Sequence, residues 1–257
     1  MSFDPERFAA TLHEHRRSRT RIDALPDKPS TEAEGAAAQH SLARLLNADP
    51  PAGFKIGATG KRMQDYLGLH APVAGFIEAP NLHSSGATMH FADLTNPAAE
   101  CEVAVRLARD LPPGSCTQKQ AADAVGEVMA GIEIVENRYG DLTSVGTAVL
   151  VADQMFHAAA ATGAAAPNWR SLDMTRLTGR ILIDGQVREQ GISGDLLGHP
   201  MNCLAWLAGS EVAKAFGGLR AGQVVMLGSV SPPVWLSGPA KIDVIFDQLP
   251  PVSLTLH

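Results

Sequence analysis

An α+β protein is predicted from the 257-residue chain, with a small helical amino-terminal region (residues 1–50) and a larger β-rich body (residues 51–257). Three observations carry this prediction. Thr31 and Glu34 form a capping signature ahead of an alanine- and leucine-rich run through Leu42, Leu45 and Leu46; a hydroxyl and a carboxylate three residues apart can satisfy each other's free amides at a helix start. Asp49-Pro50-Pro51 ends that run, because proline lacks the amide that a helix interior needs. Beyond it, short β-like pieces alternate with glycine and proline punctuation, the texture of a sheet-rich body.

In chain order the β-like pieces are Gly53–Gly57, Gly75–Ile77, Glu100–Leu111, Gly131–Val135, Gly179–Val187, Gln223–Leu227, Lys241–Phe246 and Val252–Leu256. Asp184-Gly185, set between Ile181-Leu182-Ile183 and Gln186-Val187-Arg188-Glu189, signals a two-residue hairpin. Two helices interrupt the strands. Thr117 with Gln120 opens one that runs to Met129, and Met201–Phe216 reads as one apolar-faced helix stopped by Gly217-Gly218.

Composition narrows the function. Hydrophobic residues make up 45% and charged ones 19%, which excludes wholesale disorder. With 27 acidic and 21 basic side chains the net charge is −6, so unspecific nucleic-acid binding, which needs a basic face, is not expected. The basic run Arg16, Arg17, Arg19, Arg21 reads as a solvated helix face or as an anion or partner contact. The opening MSFDPERF lacks the cationic-then-apolar pattern of a secretory signal, and no apolar run reaches the ~18 residues of a membrane span. Three widely spaced cysteines (Cys101, Cys116, Cys203) argue against a disulfide framework or a thiolate zinc site. The expectation is a soluble cytoplasmic protein.

The chemistry concentrates in Pro97–Leu107. Alternation along a strand turns Glu100 and Glu102 to one side, about 6.6 Å apart at about 3.3 Å of rise per residue. Glu133 lies alone among apolar neighbours in Gly131-Ile132-Glu133-Ile134-Val135, and a buried carboxylate needs a partner. Two readings fit. Three carboxylates without imidazole or thiolate at ligand spacing suit a hard ion, Mg²⁺ or Mn²⁺. Alternatively, Glu100 and Glu102 form a wet strand face and Glu133 pairs with an arginine such as Arg138.

Four blocks resemble a known family, the 2-keto-4-pentenoate hydratases and 4-oxalocrotonate decarboxylases of the fumarylacetoacetate hydrolase superfamily. They are Gly53–Gly68, Ala98–Leu111, Gly131–Tyr139 and Gly194–Ser229. The resemblance implies a mixed β-roll or sandwich catalytic body, a homo-oligomer, and Mg²⁺ or Mn²⁺ held by Glu100, Glu102 and Glu133. The ion would chelate the carboxylate and 2-oxo group of a small-molecule α-keto acid and, as a Lewis acid, stabilise its enolate. Lys55, in the lysine position of the family's KIG block, would sit beside the substrate and shuttle protons. The implied reaction hydrates a 2-hydroxydienoate or 2-oxo-alkenoate, of the kind made in aromatic-ring degradation, to a 4-hydroxy-2-oxo acid. Alternatives on the same scaffold are a vinylogous β-keto acid decarboxylase, an acylpyruvate C–C hydrolase, and a non-catalytic partner subunit of a decarboxylase–hydratase pair.

Two positions depart from the family. Where hydratases carry an aspartate after a proline, this chain has Val73, with Glu78 five residues on. After Ala152-Asp153, members show Asn and a small Ser-containing run, whereas this chain has Gln154-Met155-Phe156-His157. A non-standard substrate or a changed proton-transfer step is therefore expected, with Lys55, His157 and Glu78 as candidate acid/base groups; the alternative reads Phe156 and His157 as core packing. Ser229 either touches substrate or makes a plain turn, and His199 reads as an N-cap support for the helix that follows it.

Overall fold

A computed structural model describes residues 3–257. Two helices open the chain, α1 (Pro5–Ser18) and α2 (Glu32–Leu45). Then come β1 (Gly53–Gly57), α3 (Lys61–Leu67), β2 (Val73–Ile77), β3 (Leu82–Ser84), β4 (Ala87–Met89) and β5 (Pro97–Leu107). The middle of the chain forms α4 (Gln118–Ala124), β6 (Val125–Glu136), α5 (Thr147–Ala152), β7 (His157–Thr162), β8 (Thr178–Ile183) and β9 (Gln186–Ile192). It ends with α6 (Pro200–Gly209), α7 (Glu211–Ala215), β10 (Val224–Ser229), β11 (Val234–Trp235), β12 (Ala240–Phe246) and β13 (Val252–Leu256).

The helix starts follow local chemistry. Asp4 caps α1 by accepting from the amides of Glu6 and Arg7, at 3.1 Å each. Thr31 caps α2 at Glu34, but the Glu34 carboxylate turns to Ser30 instead of closing back on Thr31, so only half of the expected capping box forms. At Thr117 both halves form. The helix it opens stops at Ala124, however, and not at Met129. The β-branched stretch from Val125 joins a ladder with β5 that runs from Leu107↔Val125 to Pro97↔Glu136, and that pairing overrides the helical signal. The helix expected over Met201–Phe216 is likewise two helices. Ser210 breaks it, donating to Leu207 O at 2.7 Å and accepting from Ala213 N at 3.1 Å, so it ends one helix and caps the next. Asp184-Gly185 makes the expected two-residue hairpin, both residues with positive φ.

The strands form two curled mixed sheets. The larger runs β2-β1-β10-β5-β6-β7-β3, with β11 on the end of β5, and the smaller runs β4-β13-β12-β8-β9. One face of the larger sheet packs on the smaller, through β5 and β6 against β8, β12 and β13, and buries Cys101, Val103, Ile132 and Ile134. Its other, concave face is floored by a separate small apolar group that includes Ala104, Met129, Ala160 and Met226. The amino-terminal helices share the main core: Phe8, Leu12 and Leu42 belong to the same buried cluster as Phe54 and Leu254. The described residues include no helix long and apolar enough to cross a membrane.

The contact between α2 and α5 tests how far the helices are part of the body. Gly35 lies so close to α5 that a Cβ there would collide with the Ala148 carbonyl oxygen. Gly35→Val is expected to cost about 1–3 kcal/mol through overpacking and to lower the thermal midpoint read by the fluorescence of Trp169, Trp206 and Trp235, all in the β-rich body. An unchanged midpoint would show helices and body unfolding independently.

Candidate metal centre

Strand alternation builds the centre from β5 and β6. Glu100 and Glu102 lie two residues apart on β5 and so share a face. Glu133 pairs with Glu100 across the ladder, while Glu102 stands opposite Gly131. One carboxylate oxygen from each of the three lies within 4.8 Å of the others. Glu102 and Glu133 are fully buried and Glu100 is half-buried, so the wet-face reading weighed for Glu100 and Glu102 does not hold for Glu102. Lys55, also buried, reaches in from β1.

Each buried carboxylate has one oxygen tied to protein and one bare. Glu102 Oε2 accepts from the Gly228 amide at 2.9 Å. Gly228 has φ +108°, and a Cβ there would collide with the Thr59 side chain, so glycine alone brings that amide so close. Glu133 Oε1 pairs with Lys55 Nζ at 3.0 Å and with His157 Nδ1 at 2.8 Å. Among the described residues, Glu102 Oε1, Glu133 Oε2 and His157 Nε2 have no hydrogen-bond partner. The pairing of Glu133 with Arg138 weighed from the sequence is not formed. Lys55 is its cation, and Arg138 turns to Asp153 and Glu136.

The titration of these groups follows. Burial and the neighbouring Glu133 push Glu100 up to about 7 against the pull of Lys55. Burial also raises Glu102 well above the ordinary carboxylate value, helped by the charges of Glu133 and Glu100. At Glu133 burial pushes the same way, but the charge of Lys55 and the hydrogen bond from His157 outweigh it and hold the carboxyl low. Burial lowers His157 despite Glu133. A neutral imidazole donating from Nδ1 fits that geometry.

His157 and the Lys55 acceptor arrive on an unusual turn. Gln154, Met155 and Phe156 have φ of 55°, 47° and 66°, three consecutive non-glycine residues in a region that costs about 1–3 kcal/mol each. Met155 O accepts from Lys55 Nζ at 3.2 Å. The packing reading of the segment holds for Phe156, whose ring lies 5.6 Å from that of Tyr139; His157 instead faces Glu133.

The other expected residues fall as follows. Ser229 lines a cleft of about 370 Å³ over Glu100, together with Gly57, Thr59, Arg62 and Trp235, and donates to Ser231 O at 2.8 Å. Glu78 stands outside the carboxylate cluster, just past β2; burial raises its carboxyl against the nearby Arg16 and His13. Val73 opens β2, buried and paired with Gly57. His199 caps α6, its Nδ1 accepting from the Met201 amide at 3.0 Å. Sequence reasoning missed Arg62 on the short α3, Thr59 in the loop before it, and Gly228, which contributes a backbone amide from the end of β10 and so leaves no side-chain signal. Of the basic run, Arg17, Arg19 and Arg21 pair at the surface with Glu14, Asp93 and Asp23, whereas Arg16 is drawn onto buried Asp153 at 2.7 Å.

These residues fit a divalent hard cation. The donors are all oxygen, two buried oxygens lack a partner, and three carboxylates face the single ammonium of Lys55.

Comparison with known proteins follows the same lines. Residues 56–256 match the family model for the fumarylacetoacetate (FAA) hydrolase C-terminal domain. A 2-keto-4-pentenoate hydratase from Paraburkholderia phymatum is 30% identical over 89% of this chain and 88% of its own. A second, from Burkholderia vietnamiensis, is 30% identical over 96% of this chain and 95% of its own. A 4-oxalocrotonate decarboxylase from Pseudomonas putida G7, solved with magnesium and adipate, superposes with a TM-score of 0.89 at 23% identity, over 98% of this chain and 97% of that one.

Glu102→Gln separates metal holding from folding. In metal-stripped protein it removes a buried carboxyl whose charged form burial and the neighbouring carboxylates oppose, so its thermal stability is expected to equal or exceed that of the wild type. Mn²⁺ affinity is expected to fall at least roughly 100-fold, beyond the ~10–100-fold typical of lost supporting contacts. Undiminished Mn²⁺ affinity in calorimetric titration would contradict the assignment.

Proposed function

Because the chain belongs to the 2-keto-4-pentenoate hydratase and 4-oxalocrotonate decarboxylase family of the fumarylacetoacetate hydrolase superfamily, we propose that it is a metal-dependent hydro-lyase that adds water to a 2-hydroxydienoate or 2-oxo-alkenoate. The observation that carries this reading is the pair of bare buried oxygens on Glu102 and Glu133, set beside a buried lysine under a cleft. Glu100, Glu102 and Glu133 would hold Mg²⁺ or Mn²⁺, which when bound supplies Lewis-acid charge to the carboxylate and 2-oxo oxygens of the substrate.

The chain's own residues do the rest. An ammonium has three N–H bonds; Glu133 and the Met155 carbonyl take two from Lys55, which leaves one for the substrate. On 2-hydroxypenta-2,4-dienoate, C3 and C5 each gain a hydrogen, C4 gains a hydroxyl and the 2-hydroxyl loses its proton, so one water is consumed. Lys55 is assigned the proton transfers to carbon. His157 fixes the Glu133 oxygen that Lys55 also touches, so its role is to orient that pair. Ser229 and Thr59 border the cleft where the carbon chain would lie. Glu78, away from the cluster, is assigned no step.

One observation favours a second reading, decarboxylation of an oxo-dicarboxylate. Arg62 lines the cleft and forms no ion pair among the described residues, which suits a distal carboxylate.

With Mg²⁺ present, 2-hydroxypenta-2,4-dienoate is expected to yield the 4-hydroxy-2-oxo acid, read by NMR, and 2-oxohex-3-enedioate to release no carbon dioxide. Lys55→Met is expected to lower kcat by ~10²–10⁴-fold while Mg²⁺-dependent oxalate binding, which the cation would carry, persists. Carbon dioxide release abolished by Arg62→Gln would favour the second reading, and wild-type inactivity on both substrates would contradict the first.

A further inference from the structure

We propose that Arg16, on the amino-terminal helix α1, is a positioning residue for the centre, acting through a buried clamp on the turn that carries Met155 and His157. The clamp starts from Asp153, which is fully buried. Arg138 Nη2 donates to both of its oxygens, at 2.9 Å each. Arg16 donates to Asp153 Oδ1 from Nε at 3.1 Å and from Nη2 at 2.7 Å. Glu136 balances Arg138 from the far side, so charges alternate from Arg16 through Asp153 and Arg138 to Glu136. A buried network of this kind adds little net stability, because desolvation consumes most of the attraction. Its effect is to fix geometry.

The fixed geometry is the left-handed turn. Arg16 also donates from Nη2 to the Asp153 carbonyl at 3.1 Å and from Nη1 to the Gln154 side-chain oxygen. The Phe156 amide closes on that same Asp153 carbonyl at 3.1 Å, and Gln154 Nε2 reaches Phe76 O at 2.8 Å. One residue after Gln154 comes the carbonyl that holds Lys55, and two further on the imidazole that holds Glu133. Three successive left-handed residues relax unless the surroundings hold them, and Arg16 touches the turn at three of its atoms. By contrast, the metal-binding carboxylates sit on the β5–β6 ladder and make no contact with the clamp. The clamp therefore acts on Lys55 and His157, the two partners of Glu133 Oε1, and does not reach the bare oxygens Glu133 Oε2 and Glu102 Oε1 that face the cation site.

Arg16→Ala is the test, and its activity readout rests on the proposed hydration. The expected result is a fall of at least tenfold in kcat for 2-hydroxypenta-2,4-dienoate, with Mn²⁺ affinity within twofold of wild type and partial recovery of kcat in low-millimolar guanidinium, which can refill the missing fork. Arg16→Lys, which keeps the charge but not the fork, is expected to fold and to show the same kcat loss. Hydrogen exchange reads the clamp without substrate: the Phe156 amide should exchange faster in both variants, while β5 and β6 amides keep their wild-type rates. Unchanged Phe156 exchange overturns the clamp, whatever the activity. Unchanged kcat, or kcat and Mn²⁺ affinity lost together without guanidinium rescue, overturns the positioning role. Wild-type protein that hydrates nothing removes the proposed function, and the exchange comparison then decides the clamp alone.

Discussion

The structure depends on a charge imbalance held in the dry face of a sheet. Three carboxylates converge on one point, and a single lysine answers them. Bringing such groups out of water costs several kcal/mol each unless they are paired, and like charges at this range repel. Everything nearby reduces that cost without abolishing it. The Gly228 amide takes one oxygen of Glu102, while Lys55 and His157 take one of Glu133. What stays uncompensated is an oxygen on each buried glutamate, and a divalent ion is the group whose charge and oxygen preference match that deficit.

Two kinds of support hold the centre, and they differ in rigidity. The glutamates ride on the longest ladder of the larger sheet, where every ångström of displacement would break backbone pairing. Lys55 and His157 depend on a turn in a high-energy backbone conformation, braced by buried ion pairs. The groups proposed to hold a metal and those proposed to move protons thus rest on different supports and meet at Glu133. The second of these reaches the amino-terminal helix, which shares its core with the sheets.

Much of the fold is legible from the residues. Glycine and proline punctuation places β1 and β13 at their observed ends, and Asp184-Gly185 marks its hairpin. The errors arise where long-range pairing or a single cap overrules local preference: Val125 onward becomes strand because β5 is there to pair with, and Ser210 divides a helix that hydrophobic periodicity alone joins. At the centre, period-two alternation shows that Glu100 and Glu102 share a face, and the apolar run around Glu133 shows that it needs a partner. Which cation answers it was not legible, because Arg138 lies five residues on in sequence, whereas Lys55 stands 78 residues away on a strand that reaches Glu133 only when the sheet is assembled. Arg16 was hidden for the same reason: its partner Asp153 is 137 residues away, and four arginines within six residues look alike until one of them is drawn onto a buried carboxylate.

If Glu100, Glu102 and Glu133 form one cation site, anomalous diffraction from crystals soaked in Mn²⁺ will show it. The expected result is a single strong peak between β5 and β6, within coordination distance of an oxygen from all three glutamates, with Lys55 still on Glu133. No peak there, or a manganese bound elsewhere while the three carboxylates keep to protein partners, would contradict it.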